Sequence, residues 1–172
     1  DYRGFRDFAI PSNCQTRVIE MKKAITNTNR YIPGTYSYYL ALASLYILDQ
    51  RDIINAKIAI GNAKKKSNNK IYVYSEAFLL LYEGKNLLSA YRKYMQAFKT
   101  SYDLSSLLTY IEFILSEDKD KQQLNMALAL ICQQLKDIKN AKKYAKGFLE
   151  FLAQEKDKHN EVRSYMEKII AE

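Results

Sequence analysis

The phrase Arg51-Asp52-Ile53-Ile54-Asn55-Ala56 returns 34 residues later as Lys85-Asn86-Leu87-Leu88-Ser89-Ala90. It returns again as Lys136-Asp137-Ile138-Lys139-Asn140-Ala141. In the first two copies a second alanine follows seven residues after the first, Ala63 after Ala56 and Ala97 after Ala90. Self-similarity at such a period marks a small supersecondary unit that cannot bury its apolar face alone and must stack on its neighbours. A chain of 172 residues has room for a short array of these units or for one domain with a substantial core.

The punctuation and the apolar spacing make the unit helical. Glycine (5) and proline (2) are scarce, which favours helices joined by short connections over a turn-rich β architecture. The pattern predicts helices near 36–49, 53–66, 71–82, 87–99, 104–116, 120–135, 138–154 and 159–171. Asp52, Asn86, Asp103 and Asp137 stand where helices should start, and their short polar side chains suit the N-cap. Gly84 and the polar run at 67–70 are expected stops. Ser12 and Gln15 form a capping-box pattern ahead of a leading helix near 13–29, with Val18, Met21 and Ile25 on one face. No segment reads as a strand.

A 34-residue period of two antiparallel helices resembles the tetratricopeptide repeat, over 37–70 and 71–104. The residues carrying the resemblance are the small Ala56 and Ala90, the small Ala63 and Ala97, and the large Ile60 and Tyr94 between them. In the first helices Leu40, Ala43 and Ile47 match Tyr74, Ala77 and Leu81. The family's tryptophan is absent, its small eighth residue is Phe78 in the second copy, and no proline closes either repeat. Ala141 lies one and a half periods after Ala90. Either the helix near 104–116 is an insertion, or the array continues with irregular spacing, and both parses bury similar faces.

The resemblance implies an all-α fold, a right-handed superhelical solenoid of antiparallel helix pairs with eight or nine helices. The expected division is an N-terminal extension with one helix over 1–34, repeats over 35–155, and a capping helix over 156–172. It also implies a concave face lined by the first helix of each pair. Here that face would carry Tyr38, Leu42, Leu45 and Asp49, then Tyr72, Ser75, Glu76, Leu79 and Glu83, an apolar, tyrosine-rich groove edged by acids, for a peptide or helix of a partner protein. The Lys and Asn residues with which some family members clamp a terminal carboxylate are missing at the matching positions.

Basic residues exceed acidic ones by eight. Lys136, Lys139, Lys142, Lys143 and Lys146 form a stripe that offers a second reading, a face for nucleic acid or another acidic surface. The stripe lacks the interleaved aromatics of single-strand binders. Catalysis finds no support: there is no glycine-rich phosphate loop, and the single histidine, His159, lies in a polar stretch between helices. Cys14 and Cys132 stand far apart with no companion at metal-ligand spacing, so both are expected in the core, with no metal and no cofactor. The most apolar stretch, 31–48, is interrupted by Pro33 and Gly34 and is too short to span a bilayer, and a cytoplasmic location is expected. The chain begins at Asp1, which reads as a processed product or an excised piece. The expected protein is a scaffold or adaptor and not an enzyme; besides the basic-face binder, the alternative is a structural or regulatory helical domain of a larger protein whose groove is filled from within, and the oligomeric state is open.

Overall fold

A computed structural model describes residues 32–172, together with Lys23. The predicted helix near 13–29 and Cys14 lie outside the described residues. Eight α-helices are present among the described residues: α1 (Tyr36–Gln50), α2 (Ile53–Lys66), α3 (Tyr72–Glu83), α4 (Leu87–Ala97), α5 (Leu104–Glu117), α6 (Asn125–Gln134), α7 (Ile138–Ala153) and α8 (Asn160–Ala171). A short 3-10 turn, Gln122–Leu124, precedes α6. No strand occurs among the described residues, and none of their helices is long and apolar enough to cross a membrane. The chain divides into two compact units, one ending at Glu76 and the other spanning Ala77–Glu172, so the boundary falls within α3.

The helix starts are set locally. Asp52 accepts the Asn55 backbone N–H at 3.0 Å, and the Asn55 amide returns a bond to the same carboxylate at 2.6 Å. Asp137 and Asn140 repeat this reciprocal cap at 3.2 and 2.7 Å. Asn86 and Asp103 cap α4 and α5 through Ser89 and Ser106. Each cap satisfies one of the orphan donors of a helix N-terminus. The turns into the first and third copies are also alike. Arg51 and Lys136, each just before its capping aspartate, adopt left-handed backbone at φ 53° and 63°. In the second copy that conformation falls on Gly84, at φ 72°, one residue earlier in the phrase.

In the first unit α1 and α2 form a hairpin joined by Arg51-Asp52. Leu40, Ala43 and Ile47 of α1 are buried, as are Ala56, Ala59, Ile60 and Ala63 of α2. Alanines on that stripe let a neighbouring backbone approach closely. The Tyr36 hydroxyl donates to the Asn69 carbonyl and accepts the Tyr72 backbone N–H, both at 3.0 Å. The start of α1 is thereby tied to the start of α3. Burial pushes the Tyr36 hydroxyl up to about 12.

In the second unit α6 is the central element. Every residue from Gln123 to Cys132 is buried, as expected of a helix apolar on all sides. It packs against α7, α5 and α4, and α7 in turn packs against α8. The predicted helix near 120–135 therefore begins as a 3-10 turn, where Gln123 donates its side-chain amide to the Tyr82 carbonyl at 3.1 Å. Gly147 of α7 makes room for Asn125, since a Cβ there would lie 3.2–3.3 Å from the Asn125 amide atoms. Cys132 is a buried free thiol, pushed up to about 12 chiefly by burial.

Tyrosine hydroxyls recur as staples between elements about one repeat apart in sequence. Tyr82 donates to Asp118 at 2.8 Å across 36 residues. Tyr144 donates to Glu112 at 2.8 Å, and Tyr165 to Gln133 at 2.7 Å, each across 32 residues. Tyr36 and Asn69 are 33 apart.

Candidate functional site

The residues expected on a concave face divide between the units. In the first unit Tyr38 and Leu42 are half-buried on α1, and Tyr38 meets Tyr39 edge-on at 5.5 Å. Leu45 is only 9% exposed and belongs to the core. Tyr72 and Glu76 are half-buried and brought together by Lys64. Its ammonium lies 3.3 Å from the Glu76 carboxylate and 5.1 Å from the centre of the Tyr72 ring. Glu76 is thus neutralised by an α2 lysine and is not a bare acid at a groove edge. Leu79, in the second unit, is 3% exposed and is core. Tyr38, Leu42, Tyr72 and Glu76 keep accessible surface, and Leu45 and Leu79 do not.

Of the expected lysine stripe, Lys139, Lys142, Lys143 and Lys146 fall on α7, and Lys136 lies ahead of it in left-handed backbone. Ala141, Ala145, Phe148 and Leu152 bury one side of α7. Lys139, Lys143 and Lys146 are exposed, and Lys142 is half-buried. Lys143 lies over the ring of Tyr144 at 5.3 Å, and Glu150, also exposed, closes the stripe. Burial raises the Tyr144 hydroxyl above its ordinary value, and its bond to Glu112 raises it further.

The second unit also holds a cleft of about 470 Å³ where the end of α6, the start of α7 and the end of α8 converge. Buried Ala141 and Ile169 and exposed Ile138 supply its apolar surface, and Gln133, Gln134, Lys136, Tyr165 and Glu172 its polar surface. Tyr165 donates to Gln133 at 2.7 Å, and Gln133 donates to Glu172 at 3.4 Å, which fixes the polar wall. The Tyr165 ring rests on Tyr91 at 5.6 Å, and burial raises its hydroxyl. Ile138 is 55% exposed and gives the cleft a protruding apolar lip; Leu135, 37% exposed, lies between two lining residues in sequence without lining the cleft itself. A pocket of this size and lining has room for an apolar side chain, with the Gln134 amide and the Lys136 ammonium at its edge as hydrogen-bonding groups. The sequence signal for it was the third copy of the repeated phrase, whose Lys136, Ile138 and Ala141 all line the cleft. Tyr165, Ile169 and Glu172 come from a helix about thirty residues further on, and no local pattern pairs them with that phrase.

Among the described residues no group of three or more His, Cys, Asp or Glu lies close enough to hold a metal ion. His159 starts α8 in left-handed backbone, with its N–H bonded to Asp157 at 2.9 Å. No family model, no curated protein and no solved structure matches the chain.

Proposed function

We propose that the chain is a non-catalytic protein-interaction module, a scaffold or adaptor that binds a segment of a partner protein. The observation that carries this reading is the cleft at the ends of α6 and α8, with its apolar lip of Ile138 and exposed Leu135 close by in sequence. Large apolar side chains left open beside a pocket mark interaction sites more often than isolated exposed ones do. The accessible parts of Tyr38, Leu42 and Tyr72 offer a second set of amphipathic anchors in the first unit. The 34-residue period supports reading the helix pairs as turns of a right-handed, tetratricopeptide-like solenoid, an architecture built for extended binding surfaces.

A pull-down from source cells tests the reading with three folded variants: Leu135→Ser/Ile138→Asp at the cleft, Tyr38→Ala/Tyr72→Ala in the first unit, and Lys139→Glu/Lys143→Glu/Lys146→Glu on the stripe. A protein retained by the unaltered chain and lost with the first or second variant supports an adaptor and says which surface it uses. Loss with the lysine variant alone transfers the function to an acidic partner of the basic face. Equal retention by all four proteins contradicts the proposal.

A further inference from the structure

On the outer side of α2, diametrically opposite its buried alanines, Ile54, Ile58, Gly61 and Lys65 fall in one line at helical spacing. Ile54 is 74% exposed and Ile58 57% exposed. A side chain built at Gly61 would meet nothing within 4 Å. The helix carries four lysines and no acid: Lys57, Lys64, Lys65 and Lys66. Lys57, Lys65 and Lys66 are exposed, while Lys64 faces Glu76. A helix that buries one face and leaves two isoleucines on the opposite, lysine-flanked face has a second surface to cover.

We propose that the outer face of α2 docks on an anionic membrane surface, with Ile54 and Ile58 entering the interface and Lys57, Lys65 and Lys66 meeting acidic headgroups. Basic amphipathic helices bind such surfaces by combining apolar insertion with attraction to acidic lipid. Charge selects among the candidate occupants. A second copy of this chain carries the same net charge of +8 and is repelled. The chain's own 13–29 segment brings Arg17, Lys22 and Lys23 against the single acid Glu20, again the wrong sign. Shape separates a membrane from an acidic protein. Two protruding isoleucines on a convex helix require a protein partner to supply a matched groove, whereas the headgroup region deforms around them. Lysine stems can lie along that interface with their ammonium groups in the headgroups.

The full chain is sedimented with phosphatidylcholine vesicles and with vesicles also containing phosphatidylserine. The expected result is binding to the anionic vesicles only, weakened about tenfold by Ile54→Ser/Ile58→Ser and by Lys65→Glu/Lys66→Glu, and weakened by added salt. The Lys139→Glu/Lys143→Glu/Lys146→Glu variant is expected to bind nearly as well as the unaltered chain. The chain has no tryptophan, so Ile58→Trp supplies a unique fluorophore whose emission should shift to the blue on adding anionic vesicles. Absence of binding, binding unchanged by the α2 substitutions, or an unshifted emission from the Ile58→Trp variant overturns the proposal. Capture of an acidic protein that requires Ile54 and Ile58, without vesicle binding, also overturns it and assigns the face to that protein.

Discussion

Gly61 and Gly84 carry the same side chain under opposite constraints. Gly61 lies inside α2 with open space around it, so Gly61→Ala should stabilise the protein by about 0.5–1 kcal/mol in urea unfolding. Gly84 ends α3 at φ 72°, and a Cβ there would lie 3.2 Å from the Gln123 amide nitrogen. That amide satisfies the Tyr82 carbonyl, so Gly84→Ala should destabilise the protein through backbone strain and a displaced hydrogen bond. Tyr94 supplies a third test at this scale. It is fully buried, and its hydroxyl finds no hydrogen-bond partner among the described residues. Tyr94→Phe should therefore raise stability, by about 1 kcal/mol. A loss of stability would mean that the hydroxyl is bonded in solution.

At the scale of the element, the starts of α2, α4, α5 and α7 were legible because a capping residue and its partner lie three positions apart. Interactions that local leave their mark in the sequence. Burial of the helices was less legible. Leu45 and Leu79 were assigned to a surface, yet both are core: each shares a helix face with part-exposed residues, Tyr38, Leu42 and Asp49 on α1 and Tyr72, Glu76 and Glu83 on α3, and helical spacing does not say which residue of a face its neighbours cover. Tyr38 and Tyr72 were expected on a binding face and keep accessible surface; four other tyrosines, Tyr36, Tyr82, Tyr144 and Tyr165, are internal staples, bonded to residues 32 to 36 positions away. Only the repeat period hinted at that separation. The caps also give a pH dependence. The Asn55 backbone N–H and then its amide hold Asp52 below the ordinary aspartate value, and the Asn140 amide and then its N–H do the same for Asp137. A lowered value in the folded state favours the charged form. Their contribution is complete above the unfolded value of about 3.9 and fades as pH falls through the lower folded value. Circular dichroism should show a smaller acid-induced loss of helix in Asp52→Asn/Asp137→Asn, since asparagine caps without titrating.

For the molecule as a whole, the same reasoning applies at high pH with the opposite sign. Burial pushes Tyr36 and Tyr74 up to about 12, and Tyr144 is raised by burial and by Glu112. Groups raised in the folded state contribute fully below the unfolded tyrosine value of about 10 and lose that contribution as pH rises toward the folded values. Part of the tyrosinate absorbance should therefore appear only together with loss of helix. Tyrosinate that forms completely while the helices persist would contradict the buried staples. The proposed binding role makes a sharper demand where it assigns the partner first to the cleft at the ends of α6 and α8. The most direct measurement is photo-crosslinking in source cells with a photoreactive residue in place of Ile138, compared with the same residue in place of Lys146. Our account predicts a discrete adduct from position 138 that disappears when the cleft residue Lys136 is changed to Glu. No adduct at position 138, or the same adducts from both positions, would contradict it.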